Sequence, residues 1–167
     1  MSDNLAIINR VIEEHHTVRG NIKLAGETVN DLEAMARARS SHADWSQSSV
    51  QDLAEHNERL QQAVSYLADG LQNHFSFEEQ SLPPLLGKPL MAAFVLEHGE
   101  IREKLAAVKS KVAGSRIEGL GQPEMLAAKS NIQQLVTGLS HMIEEHAGRE
   151  EVILGMVKRA LEAGKAR

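Results

Sequence analysis

A chain of 167 residues, 42% hydrophobic but only 3% aromatic, suits a single helical domain over residues 1–167 with an aliphatic core. Its net charge of −5, with no basic patch, gives nucleic-acid binding no support. The lack of cysteine excludes disulfides, thiolate metal sites and cysteine nucleophiles, and no apolar run is long enough to span a bilayer.

The N-terminal Met-Ser-Asp-Asn-Leu has no basic stretch followed by an apolar one, so the expectation is a soluble cytoplasmic protein. Asp3 can cap a first helix. Its apolar stripe is Ile8, Val11, Ile12, His15, Val18, Ile22, Ala25, Val29 and Leu32, spaced three and four apart. The serine-rich stretch 40–49 lacks that period and reads as a loop. Ser49 with Asp52 resembles a capping pair for a second helix. That helix carries Leu53, Leu60, Ala63, Val64, Leu67, Leu71, His74 and Glu78 on one face. Pro83 and Pro84 are expected to end it, since proline lacks an amide and clashes with the preceding turn.

Pro89 suits the start of a third helix, with a stripe of Phe94, Val95, His98, Ile101, Leu105, Val108 and Val112. Residues 114–121 hold three glycines and read as a loop, and Pro123 opens the fourth helix. Its stripe is Ile132, Leu135, Val136, Leu139, Ile143, His146, Glu150 and Ile153. Four long amphipathic helices with short connections predict an all-α, antiparallel, up-down-up-down four-helix bundle.

One motif occurs twice. His74 and Glu78, and again His146 and Glu150, stand at i and i+4, which projects both side chains from one helix face. Aligning His74 with His146 sets Leu60, Ala63, Val64, Leu67 and Leu71 opposite Ile132, Leu135, Val136, Leu139 and Ile143. Aligning His15 with His98 sets Val11, Ile12, Val18, Arg19 and Ile22 opposite Phe94, Val95, Ile101, Arg102 and Leu105. The chain is a pseudo-duplicate, and each half supplies one lone His and one His-x-x-x-Glu.

Two register choices follow from the stripes. His141 and Glu145 share the motif's spacing, but their face carries Gln134, Thr137, Gly138 and Gly148, so His146 and Glu150 are chosen. His15 lies between Ile12 and Val18, whereas His16 is followed by Arg19, so His15 is chosen.

A single histidine on an apolar face is ordinarily a hydrogen-bonded core residue; the set of four, with two glutamates, is what points to chemistry. A carboxylate aimed into a core without counter-charge costs several kcal/mol or takes up a proton. Arg19 and Arg102 offer partial neutralisation of Glu78 and Glu150, but two divalent cations do so better and also occupy the imidazole lone pairs. Four imidazoles and two carboxylates without sulfur suit iron, manganese or zinc more than Cu(I) or calcium, and six ligands exceed one tetrahedral zinc. The expected metal ligands are therefore His15 and His74 on one ion, His98 and His146 on the other, and Glu78 and Glu150 bridging.

Taken in order, these residues resemble the hemerythrin-like family of HHE cation-binding domains. That family has a His on helix one, His-x-x-x-Glu on helix two, a His on helix three and His-x-x-x-Glu on helix four. His15, His74 with Glu78, His98, and His146 with Glu150 match it position by position over nearly the whole chain. The resemblance implies a four-helix bundle around a non-haem di-iron centre, two Fe ions (Fe2+/Fe3+) bridged by carboxylates and an oxo or hydroxo group. The family includes oxygen carriers, oxygen, redox or iron sensors, and proteins of nitric-oxide and iron–sulfur repair. The oxygen carriers place His-x-x-x-His on helix three. Here the second position is Arg102, which argues against reversible oxygen carriage and keeps reaction with peroxide or nitric oxide open.

Glu79 and Glu151 are expected to pair with Arg19 and Arg102 and to orient the ligands. Trp45 is expected as a lid from its loop, Tyr66 as packing, and His16, His42, His56 and His141 as surface residues. His56 stands 18 residues before His74, about 27 Å along a helix, too far to share the site. The leading expectation is a metal protein that binds or reacts with oxygen, nitric oxide or peroxide, as monomer or homodimer. Its rivals are an iron- or redox-responsive binding module without turnover, a site for zinc or manganese, and a metal-free structural bundle. Nothing in the pattern decides whether the protein is an enzyme.

Overall fold

The computed structural model describes residues 2–40, 47–114 and 122–165, with side chains over 3–31, 55–114 and 127–164. Regular structure among these residues is entirely helical: α1 (Ser2–Ser40), α2 (Gln47–Ser81), α3 (Pro83–Leu86), α4 (Lys88–Gly114) and α5 (Gln122–Lys165). The third and fourth helices expected from sequence are α4 and α5. No helix among the described residues is long and apolar enough to cross a membrane. Trp45, His42 and most of the expected loops lie outside the described residues.

The prolines act as punctuation, with one surprise. α2 stops at Ser81, but Pro83 and Pro84 then open the one-turn helix α3, where their missing amides have no intrahelical partner to lose. Gly87 follows at φ 75°, a conformation that favours glycine, and its N–H donates to Pro83 O at 3.0 Å. α4 begins one residue before Pro89, and α5 one before Pro123. The expected caps shift: Asp3 lies in the first turn of α1, where its charge suits the helix dipole, and Ser49 lies inside α2.

Each long helix packs against two others: α1 against α2 and α5, and α4 against the same two. Side-chain pairs give the register. From α1 to α5, Asn9 meets Lys158, Arg19 meets Glu144 and Asn30 meets Gln133. From α2 to α4, Gln72 and Glu79 both meet Arg102.

The stripes become two apolar layers. The larger one holds Val18, Ile22, Ala25 and Val29 of α1 with Leu60, Val64, Leu67 and Leu71 of α2. Ile101, Leu105, Val108 and Val112 of α4 and Ile132, Val136, Leu139 and Ile143 of α5 complete it. The smaller one gathers Ile8, Val11, Leu82, Met91, Phe94 and Leu154, capped by Leu85 and Leu86 of α3. Val95 departs from its expected place and is 42% exposed, because the α4 face is centred on Met91, Phe94 and His98, leaving Val95 on its edge. Ile12, Leu135 and Ile153 are half-buried for the same reason, while Leu154 is fully buried. Tyr66 is 67% exposed and does not pack in the core.

Neighbouring residues on α2 give a direct test. Leu67→Ala, at a site 1% exposed, should cost about 2–5 kcal/mol in urea unfolding. Tyr66→Ala should stay within about 0.5 kcal/mol of the parent.

Candidate metal centre

Between the two apolar layers lies one polar layer. His15, His74, Glu78, His98, His146 and Glu150 are all 0–3% exposed and come together from α1, α2, α4 and α5. The rejected choices stay outside: His16 is exposed, and His141 and Glu145 pair with each other at 3.2 Å on the surface. His56 is half-buried rather than fully exposed, far along α2 from the layer.

The donors fall into two overlapping groups. His15, His74, Glu78 and Glu150 offer ligand atoms within 4.8 Å of one another, and so do Glu78, His98 and His146. Glu78 spans both: Oε1 lies 2.8 Å from His74 Nε2 and 3.5 Å from His15 Nε2, while Oε2 lies 3.3 Å from His98 Nε2. Glu150 Oε2 accepts from His15 Nε2 at 3.2 Å and lies 3.7 Å from His146 Nε2. The imidazoles pair off in the same way, with ring centroids 4.9 Å apart for His15 and His74 and 4.8 Å apart for His98 and His146.

Closeness here does not mean hydrogen bonding. The Nε2 atoms of His74, His98 and His146, both Glu78 oxygens and Glu150 Oε1 are buried without a hydrogen-bond partner. Groups of this kind are ordinarily satisfied in a folded protein. They belong instead to the two groups whose ligand atoms lie close enough together to hold a metal ion. Nitrogen and carboxylate donors without sulfur fit iron, manganese or zinc.

The buried groups shift one another's protonation in opposite directions. Burial pushes Glu150 up to about 7, with the neighbouring Glu78 charge adding to it. Glu78 goes the other way: burial opposes its charge, but the surrounding imidazoles of His15, His74 and His98 hold it well below the usual carboxylate range. Burial lowers His146 to about 4. Burial also works against charge on His15, yet Glu150 and Glu78 outweigh it and raise this imidazole to about 9. Both buried carboxylates approach His15 Nε2, Glu150 at 3.2 Å and Glu78 at 3.5 Å.

Outside this layer stands a second set of carboxylates. His15 Nδ1 donates to Glu151 at 3.1 Å, His74 Nδ1 to Glu14 at 3.0 Å, His98 Nδ1 to Glu79 at 2.9 Å and His146 Nδ1 to Glu97 at 2.9 Å. Each of these glutamates also meets an arginine: Arg19 with Glu151 at 2.5 Å, Arg10 with Glu14 at 2.7 Å, Arg102 with Glu79 at 3.0 Å and Arg149 with Glu97 at 3.1 Å. Glu79 and Glu151 therefore pair with Arg102 and Arg19, as expected from the sequence. Arg19 and Arg102 do not neutralise Glu78 and Glu150; they are held by the outer glutamates. Glu14 and Glu97 were missed, although aligning His15 with His98 also aligns these two, and that match was the signal available.

The pseudo-duplication breaks beside the polar layer. Phe75, next to His74, stacks on His98 with centroids 4.0 Å apart and planes at 12°. The matching residue next to His146 is Ala147. Beside Ala147 there is a small cavity lined by His15, Val18, Leu71, His74 and Phe75, among others. Its water-accessible space is about 10 Å³, room for one water-sized guest.

The family model described as the hemerythrin HHE cation binding domain matches residues 6–157. The chain belongs to that family. No curated protein and no solved structure matches the chain significantly. For a member of the HHE cation-binding family, the buried His and Glu groups are the groups able to hold a metal.

Glu150, raised to about 7 by burial, binds a proton more readily in the folded state, so metal-free protein should lose urea-unfolding stability as the pH rises through 7, and Glu150→Gln should reduce that loss. An equal loss in the variant would show that Glu150 does not cause it.

Proposed function

We propose that this chain is a non-haem di-iron protein that binds or reacts with a small oxidant: oxygen, nitric oxide or peroxide. His15 and His74 would hold one ion, His98 and His146 the other, with Glu78 and Glu150 shared between them. The observation that carries the reading is the set of buried, inward-facing Nε2 and carboxylate atoms without hydrogen-bond partners. A pair of iron ions would supply one-electron redox chemistry and open coordination positions.

The scaffold proposed for this centre is an antiparallel, up-down-up-down bundle of α1, α2, α4 and α5. Cross-helix pairs support it: Asn9 with Lys158 and Asn30 with Gln133, Gln72 and Glu79 with Arg102, Glu14 with His74, and Glu97 with His146. Partner numbers fall along one helix as they rise along the other between α1 and α5.

The chain's own residues restrict what reaches the centre. The two apolar layers exclude bulk water from both ends of the polar layer. The space beside His15 is small, about 10 Å³, which favours a small guest over an organic substrate. Arg102 stands where the oxygen carriers have a further histidine. It holds Glu79 at 3.0 Å and lies 5.1 Å over the Phe75 ring, so it supports the His98 side without offering a donor to a cation.

The test is metal analysis of protein from iron-replete cells, followed by anaerobic titration of the ferrous form with oxygen, nitric oxide and peroxide under optical observation. Two irons per chain and a new near-ultraviolet or visible band with at least one oxidant are expected. His74→Ala and Glu78→Ala should lose the band, and Ala147→Val, which narrows the space beside His15, should keep the iron but slow the reaction. A metal content near zero that iron cannot restore would exclude the reading.

A further inference from the structure

Four glutamates outside the polar layer have an arrangement that chance ion pairing does not explain. All four buried imidazoles use Nδ1 on a carboxylate, and each carboxylate belongs to the helix next to its imidazole. The order closes on itself. Glu14 of α1 meets His74 of α2, Glu79 of α2 meets His98 of α4, Glu97 of α4 meets His146 of α5, and Glu151 of α5 meets His15 of α1.

The sequence explains how one ring serves four sites. Each outer glutamate is the chain neighbour of an inward-facing group: Glu14 of His15, Glu79 of Glu78, Glu97 of His98 and Glu151 of Glu150. Successive residues on a helix point about 100° apart, so when one faces the centre its neighbour faces the adjoining helix. Each dipeptide thus gives one side chain to the centre and one to the next helix's histidine. The four glutamates are 27–31% exposed, partly shielded, and each meets an arginine. Partial burial works against the charge on Glu79, Glu97 and Glu151, but the histidine and arginine donors hold all three below the usual carboxylate range.

We propose that Glu14, Glu79, Glu97 and Glu151 are positioning residues that act together, each fixing an imidazole as its Nδ1–H tautomer with the Nε2 lone pair aimed at the centre. The role rests on the metal reading above. A carboxylate on Nδ1–H also makes Nε2 a stronger donor, and removing such a partner typically weakens metal binding by about 10–100-fold. Because every carboxylate comes from a different helix than its imidazole, the ring ties the helices together at the level of the centre. Arg10, Arg19, Arg102 and Arg149 hold the carboxylates in place, Arg10 being itself stacked 3.7 Å over the Phe77 ring.

Anaerobic Co2+ titration tests this, since the visible ligand-field bands report both affinity and coordination. Alanine at any of the four positions should weaken Co2+ binding by about 10–100-fold and shift the bands. Glutamine, which keeps an acceptor oxygen but loses the charge, should cost less, about 3–10-fold. Glu13→Ala removes one exposed charge beside the ring and should leave affinity and bands unchanged, which separates positioning from long-range charge. If an alanine variant does not fold, the glutamine variant at that position carries the measurement, and affinity equal to the parent's overturns the proposal. A parent that binds two Co2+ alongside alanine variants of equal affinity and spectrum overturns the ring alone. A parent that binds no Co2+ overturns the metal reading, and the ring with it.

Discussion

Two carboxylates, Glu78 and Glu150, have no exposed surface, and the rest of this protein is arranged around that constraint. A buried, uncompensated charge costs several kcal/mol, and a domain of this size is stable by only about 5–15 kcal/mol. The four surrounding imidazoles relieve the cost in part, most visibly at His15, but they leave Glu78 entirely and one Glu150 oxygen without hydrogen bonds. The arginines that might have entered the centre are held outside it by Glu79 and Glu151. Cations are the compensation that these donors fit.

This explains the layering. Apolar residues above and below the centre supply the folding free energy that the polar layer does not. They also keep the local dielectric low, which strengthens each interaction of the buried carboxylates with whatever cation they hold. The internal duplication gives both halves the same ligand types, while Phe75 opposite Ala147 makes their surroundings unequal. One side of the centre is sealed by an aromatic ring stacked on His98; the other keeps space beside His15. The buried His and Glu groups are able to hold a metal, and the small space beside His15 is where their surroundings differ.

The helices and the inner residues were legible in sequence because both depend on a single helix period. His15, His98, and each His-x-x-x-Glu pair fall on stripes of aliphatic residues, and the same stripes reject His16 and His141. The outer glutamates were half legible. Glu79 and Glu151 follow the glutamate of the repeated motif and match an arginine pair, whereas Glu14 and Glu97 precede a lone histidine; all four act on the neighbouring helix, of which one helix's periodicity says nothing. The α3 turn was missed because Pro83-Pro84 reads as a stop, although proline is equally at home at a helix start. Val95 was misplaced because stripe membership at an edge depends on how far a helix is rotated against its neighbours, which packing of Met91 and Phe94 decides.

The most direct test of the central claim is anomalous diffraction at the iron edge from crystals of iron-loaded protein. The account predicts two peaks per chain inside the polar layer, one between His15 and His74 and one between His98 and His146, with Glu78 reaching both. A single peak, or iron only at the exposed His141 and Glu145 pair, would contradict it.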